Sequence, residues 1–417
     1  MHRSLLAIAL LTGMASSAVF AQDVTPVVHV ENPPNAAATL AKHYVVMVSL
    51  DGFRYDYARE HGAPHLDEMA ADGASTPDGM LPSYPSVTFP NHYTLVTGLR
   101  PEHHGIVGME FWDPTRKQRY LFADSKTNSD GSWYSGTPLW VLAEEQGMRS
   151  ACFFWPGSEA EIGGKRPSFY LHFDGKLDDY KRVAQIIQWL QLPEAERPHF
   201  LTLYYSNTDD AGHHFGPDSP EAKEAVHHVD ELIGELREKL KATGLPVDLI
   251  VTADHGMIKL DPTPVVLDTL VDIKNVRTSG PYIYPSSEAE TQRIYKQLAA
   301  KNDPRFRVYR RKNTPKELHF RTNPREGDPV VIPNAPYSVS WHPSNHGHGY
   351  IGSHGFNAHA TPEMKAIFYA EGPDVQPGIK LPSFDNVDVY DFVAKILNLK
   401  PGKTDGSLKP LKPALKH

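Results

Sequence analysis

Apolar residues occur along this chain in short unbroken runs separated by stretches of helical period. Tyr44-Val45-Val46-Met47-Val48-Ser49-Leu50 stops abruptly at Asp51-Gly52, the pattern of a strand buried on both faces that ends in a turn. Comparable runs cover residues 151–155, 200–205, 247–252 and 366–370. Between them lie a short helical pattern from Leu139 to Gly147 and a longer one from Asp178 to Leu192, with Val183, Ile186, Ile187 and Leu190 on one face. The clearest helix covers 220–243, where Val226, Val229, Leu232, Ile233, Leu236 and Leu240 form one stripe, read as core rather than partner surface. Strand and helix in alternation predict an α/β fold, a mainly parallel central sheet with helices on both faces. A Pro-rich, strand-poor stretch near 260–345 is expected to form an inserted cap or lobe, and no internal repeat is visible.

The start of the chain is an address. Met1-His2-Arg3, the apolar stretch Leu5–Leu11 and small residues up to Val19-Phe20-Ala21 read as a secretory signal over residues 1–21. A membrane anchor is the alternative, but Gly13 and Ser16-Ser17 interrupt a segment already short of the ~20 apolar residues of a span. A leader (22–42), one domain (43–400) carrying the insertion, and a C-terminal tail (401–417) complete the expected organisation. The expected location is the periplasm or the exterior of a bacterial cell, with no membrane span after signal removal.

Composition narrows the classes. With 40% hydrophobic and 22% charged residues in 417, the chain can build a core and is not disordered. The single cysteine, Cys152, excludes a disulfide scaffold and reads as a small buried hydrophobe. A net charge of −8 without a long basic run argues against a stable nucleic-acid complex. The 22 histidines matter only if some converge.

Convergence is what the strand ends suggest, because ligands on open α/β sheets bind beyond the carboxyl ends of strands. Asp51 follows the first run, Asp209 and His213 the third, and Asp254-His255 the fourth, while His354 sits in a Gly-rich loop before the last. Three carboxylates and three imidazoles at one sheet edge require cations. Mixed N/O donors favour zinc over magnesium or calcium, with manganese and iron left open. Six ligands exceed one tetrahedral ion and suit a pair about 3.5–4 Å apart. Ser86 and Thr88 open a helix that runs through Tyr93-Thr94-Leu95-Val96. Either hydroxyl could cap that helix, or meet its positive end as an ionised nucleophile.

The chain resembles the nucleotide pyrophosphatase/phosphodiesterase branch of the alkaline phosphatase superfamily. The resemblance rests on Ser49-Leu50-Asp51-Gly52, on Thr88-Phe89-Pro90-Asn91-His92 through Glu102 with His104-Gly105-Ile106-Val107, on Asp209–His213 with Gly216-Pro217, on Thr252-Ala253-Asp254-His255-Gly256-Met257, and on Ser353-His354-Gly355, in the family's order. It implies an alkaline-phosphatase-like fold, Thr88 as nucleophile, and two zinc ions. One ion would be held by Asp209, His213 and His354, the other by Asp51, Thr88, Asp254 and His255. It further implies hydrolysis of phosphodiester or pyrophosphate bonds in nucleotides or related small molecules through a phosphothreonine intermediate. Phe89 would stack on a base, with Phe173 and Tyr204 as further pocket aromatics.

One departure stands out. The family carries an Asn donor twenty-one residues after the nucleophile, and here that position is Met109. A phosphomonoesterase, a lipid- or choline-headgroup phosphodiesterase, and a non-catalytic exported zinc-binding protein are the alternatives. His346 and His348 in a Gly-rich turn, His103, His104 and His214 beside the motifs, and Asp210 are read as bystanders rather than ligands.

Overall fold

The computed structural model describes residues 26–343 and 349–416; the expected signal segment, His346 and His348 lie outside them. Nine strands form the central sheet: β1 (Val28–His29), β2 (Tyr44–Leu50), β3 (Ala74–Ser75), β4 (Ser150–Phe153), β5 (Phe169–Tyr170), β6 (Phe200–Tyr205), β7 (Val247–Thr252), β8 (Phe368–Glu371) and β9 (Ile379–Lys380), in the order β1-β5-β4-β6-β2-β7-β8-β3-β9. The centre is parallel: β2 pairs with β6 from Val45↔Phe200 to Leu50↔Tyr205 and with β7 from Tyr44↔Val247 to Ser49↔Thr252. β8 runs antiparallel to β7 and β3. Every residue of β2 is buried, as an unbroken apolar run requires.

The helices are α1 (Pro64–Asp72), α2 (Thr88–Thr97), α3 (Leu139–Glu145), α4 (Asp179–Leu190), α5 (Asn207–Phe215), α6 (Pro220–Thr243), α7 (Glu288–Ala299) and α8 (Asp388–Ile396), with shorter helical turns between them. They flank the sheet on both faces, as two neighbours on β6 show. The Tyr204 ring meets His92 of α2, whereas the Tyr205 hydroxyl donates to the Asp179 carbonyl of α4; successive strand residues point to opposite faces. α1, α4 and α5 pack against α6, and α2 against α8. The stripe expected on 220–243 is buried core throughout.

Two boundaries differ from the sequence reading. The run 151–155 leaves the sheet after Phe153, because Phe154 takes a left-handed backbone (φ 63°) and turns toward the later site. The last strand begins at Phe368 rather than Ala366, whose N–H and carbonyl are spent on Met80. The stretch 260–345 is less strand-poor than expected. It holds α7 and short strands at 265–266, 277–279, 282–284, 306–309, 330–333 and 339–340, too brief to leave an alternating signature. Val265, Ile283, Ile294, Leu298, Phe306 and Trp341 gather there into a core of their own. Among the described residues no helix is long and apolar enough to cross a membrane.

Helix α1 has no side-chain cap of its own; Asp230 of α6 accepts from the N–H groups of His65 and Leu66 at 3.1 and 2.9 Å and caps it from outside. Replacing Asp230 with Ala leaves two first-turn donors unmet and is expected to lower unfolding free energy by about 0.5–2 kcal/mol in urea titration. An unchanged midpoint would show that solvent caps α1 equally well.

Candidate metal centre and substrate cavity

The parallel strands β6, β2 and β7 lie side by side, so the residues just past their carboxyl ends meet. Asp51 follows β2, and Asp254-His255 follow β7. After β6 the chain enters α5 directly, which puts Asp209 and His213 one turn apart on a single helix face. Gly52 makes this convergence sterically possible: its φ is +66°, and a Cβ there would stand 2.9 Å from the Asp209 Cα. His354 arrives from the short strand Gly352–Ser353, which pairs with Ile258–Lys259.

Six of the sequence-predicted ligands thus form two adjoining triads, Asp51/Asp254/His255 and Asp209/His213/His354, each with ligand atoms within 4.8 Å of one another. The His255 Nε2 lies 2.9 Å from Asp254 Oδ2 and 3.6 Å from Asp51 Oδ1; Asp209 lies 3.4 Å from His213 Nε2 and 3.7 Å from His354 Nε2. The rings of His255 and His354 stack at 3.7 Å and join the triads. Thr88 Oγ1 is 3.4 Å from His255 Nε2.

The donor set fits metal ions. His213, His255 and His354 each direct Nδ1 at a backbone carbonyl, of Gly352, Gly256 and Ser86 respectively, at 2.9–3.0 Å. A carbonyl can only accept, so Nδ1 carries the proton and each Nε2 presents a lone pair to the cluster. Two carboxylates are held in the same divided way. Asp51 Oδ2 accepts from the Tyr204 hydroxyl at 2.6 Å and Asp254 Oδ1 from the Gly52 N–H at 3.1 Å. Asp51 Oδ1, Asp254 Oδ2 and Asp209 Oδ1 are buried without a hydrogen-bond partner.

Within the polypeptide alone these groups are electrostatically frustrated. Burial, then Asp254 and Asp209, push the Asp51 carboxyl well above its ordinary range; burial also raises Asp209, against the pull of His213 and His255. Burial raises Asp254 too, but His255 and His92 beside it bring it below the usual range. His354 is driven well down by burial and by His255 and His213.

Thr88 is the first residue of α2, whose cap position is Val87 with no side-chain hydrogen bond. Neither hydroxyl is a cap. Ser86 Oγ donates to the Phe356 carbonyl and accepts from Gly355 N–H, pinning the loop that carries His354. Thr88 faces the first triad. His92, one turn further on, lies between Thr88 O and Ser49 Oγ at 2.9 and 2.8 Å, and 3.4 Å from Asp254. Sequence reading passed over it, although its i+4 spacing from Thr88 was a usable signal.

Beside the triads opens a cavity of about 970 Å³. Phe89, Phe173 and Tyr204 all line it; Phe89 packs against Phe122 at 5.6 Å, and Phe173 is 55% exposed against Phe154. Tyr204 is buried and spends its hydroxyl on Asp51. Phe122, Phe154, Glu159 and His172 also line the cavity and were not singled out by sequence, since they belong to no local motif. Met109 lines it as well, its sulfur 3.4 Å from the Phe89 N–H. The bystanders have other work. His104 is buried between Thr94 and Pro90, His103 pairs with Asp405, and Asp210 accepts from Ser206, although Asp210 also reaches the cavity wall. His214 packs edge-on against Tyr350, and Cys152 is a buried thiol.

Residues 45–357 match the family model described as type I phosphodiesterase / nucleotide pyrophosphatase. Human ectonucleotide pyrophosphatase/phosphodiesterase family member 1 is 34% identical over 402 residues, covering 93% of this chain and 43% of the human protein. An uncharacterized pyrophosphatase/phosphodiesterase of Schizosaccharomyces pombe is 35% identical over 394 residues, covering 89% of this chain and 80% of that protein. The chain spans less than half the length of the mammalian relatives. Murine ectonucleotide pyrophosphatase/phosphodiesterase 5, solved as an inactive threonine-to-alanine variant in complex with AMP, superposes with a TM-score of 0.83 at 29% identity, over 90% of this chain and 100% of that one. The α/β, alkaline-phosphatase-like fold expected from the sequence is therefore established.

Metal removal is expected to be costly in a pH-dependent way. An acid whose folded pKa is raised, as for Asp51 and Asp209, costs stability as pH climbs from the ordinary carboxylate range toward the raised value. Bound cations cancel that cost, and they bind less well in acid because the imidazoles must be neutral. Chelation should lower the melting temperature by several degrees near pH 8 and by less near pH 5.5. Equal melting with and without chelator near pH 8 would count against a metal centre.

Proposed function

Because the chain belongs to the type I phosphodiesterase/nucleotide pyrophosphatase family, we propose that it is a two-zinc hydrolase of phosphodiester or pyrophosphate bonds in nucleotides or related small molecules. The observation that carries this reading is Thr88 Oγ1 standing beside a triad of two aspartates and one histidine, each of which turns a lone pair toward the cluster. Zinc ions held by Asp51, Asp254, His255 and Thr88, and by Asp209, His213 and His354, would supply the Lewis acidity that favours an ionised threonine and stabilises charge on phosphoryl oxygens.

The protein's own groups do the rest. Thr88 Oγ1 is the nucleophile, at a helix start whose dipole favours negative charge. It attacks phosphorus in line, the bond to the leaving oxygen breaks, and a phosphothreonine ester forms that water later cleaves. Inactivation of the murine neighbour by a threonine-to-alanine change supports this role for a threonine. His92 accepts from Ser49 and donates to the Thr88 carbonyl, holding the first turn of α2 against β2.

Phe89 and Phe122 offer one aromatic wall and Phe154 with Phe173 another surface for a base or other flat leaving group. AMP in the murine neighbour supports a nucleotide there. Met109 supplies no hydrogen bond to a phosphoryl oxygen. The Phe89 N–H, engaged only with its thioether sulfur, is the donor left to serve instead. The relatives are named as ectoenzymes, which supports an exported protein acting in the periplasm or outside the cell.

Thr88→Ala should keep the bound metal and lose turnover of a nitrophenyl nucleotide diester by at least about 10³-fold; an unchanged rate would remove Thr88 from the chemistry. Nitrophenyl phosphate should be the poorer substrate, and a strong monoester preference would overturn the diester reading. Met109→Asn restores a donor of a kind worth about 2.7–4 kcal/mol elsewhere and is expected to raise diester kcat/KM by roughly 10²-fold. No gain would mean that the Phe89 N–H already does that work.

A further inference from the structure

The opposite ends of the central strands gather a second set of ligand-type side chains. His43 immediately precedes β2, Asp248 is the second residue of β7, and Asp374 follows β8. Register pairs Asp248 with Val45 and Leu249 with Glu371, which brings the three segments together at the amino ends of β2 and β7. Asp254 lies six residue steps beyond Asp248, along β7 and just past its end, so this place is about 20 Å from the first triad at ~3.3 Å per residue.

One ligand atom from each of the three residues lies within 4.8 Å of the others. His43 Nδ1 stands 2.6 Å from Asp374 Oδ2 and 3.9 Å from Asp248 Oδ2. The Asp248 side chain is 0% exposed, and its Oδ2, aimed at His43, has no hydrogen-bond partner. Its other oxygen accepts the Asp374 N–H at 2.9 Å and fixes the 372–374 loop over the carboxylate. That approach demands glycine at 372, where φ is +143° and a Cβ would fall 2.4 Å from Asp248 Oδ1. His43 and Asp374 are about one-third exposed, so solvent reaches the cluster from one side. The Lys416 ammonium stands at its rim, donating to the Gly372 carbonyl at 3.2 Å.

We propose that His43, Asp248 and Asp374 form a third divalent-cation site, structural rather than catalytic, suited to zinc or a similar first-row ion. One borderline imidazole nitrogen and two hard carboxylate oxygens make a mixed donor set that such ions accept, and the two negative charges balance one divalent ion. Ligand atoms around a tetrahedral zinc at ~2.0–2.1 Å stand roughly 3.4 Å apart, a spacing that the distances between His43 and the two carboxylates bracket. A solvent molecule on the exposed side completes the shell. The bound ion satisfies the stranded Asp248 oxygen and ties together three segments far apart in sequence, in a chain whose single cysteine rules out an internal disulfide.

The test compares the full chain with Asp248→Asn, which keeps an acceptor for the Asp374 N–H, and with a His43→Gln/Asp374→Asn double variant at the two partly exposed positions. Each protein is dialysed against zinc and its zinc content per chain measured by plasma mass spectrometry, with melting curves in zinc and in chelator. Each variant should hold one zinc fewer than the parent, show a smaller zinc-dependent rise in melting temperature, and hydrolyse the nitrophenyl diester at the parent rate. Equal zinc contents would overturn the site. So would a melting loss of the same size in zinc and in chelator, which marks a plain histidine–carboxylate ion pair. The zinc difference does not depend on turnover, so a parent protein inactive on diesters that still holds one zinc more than its variants supports this site while refuting the catalytic reading.

Discussion

Three carboxylates crowded at one end of the parallel strands, Asp51 and Asp254 buried and Asp209 at the cavity wall, set the terms for everything around them. Asp51, Asp209 and Asp254 cannot all be charged in a dry interior without a counter-charge of similar density. Asp51 and Asp254 each give one oxygen to a fixed protein donor, and all three carboxylates leave one oxygen bare. The three imidazoles are locked by backbone carbonyls into the tautomer that offers a lone pair rather than a proton. Such an arrangement is poor as a hydrogen-bond network and good as a socket for cations. The positive φ of Gly52, the pinning of the His354 loop by Ser86 and the wedging of His92 under Thr88 are all ways of keeping that socket in shape.

The cavity beside the socket is governed by different physics. Its aromatic residues offer area and flatness, set among polar side chains such as Asn128, Glu159 and His172. Met109, its sulfur 3.4 Å from the Phe89 N–H, extends this apolar character to the start of α2.

Both ends of the central strands use the same geometric opportunity. Adjacent parallel strands deliver residues from distant parts of the chain to a common line at either end. At the carboxyl ends the gathered residues surround a cavity and a hydroxyl. At the amino ends His43, Asp248 and Asp374 lie beneath the 372–374 loop with Lys416 at the rim, away from the Thr88 hydroxyl, which suits the proposed structural ion.

Much of this was legible in the sequence because the signals were local. The all-buried β2, the apolar stripe of α6, and the Asp and His residues set just past strand ends follow from short-range pattern alone. The motifs around Thr88 and His354 carried the family. Other features were decided only in three dimensions. Whether Ser86 or Thr88 faced the two triads depended on where the Phe356 carbonyl came to rest, and the end of β4 on a left-handed Phe154. The strands of the 260–345 region were too short to mark themselves, and Phe122, Glu159 and His172 met at the cavity from segments without a motif. Pattern along a chain reports which face of an element is buried. It is silent on which distant element will cover that face, because that choice is made by packing and burial summed over the whole fold.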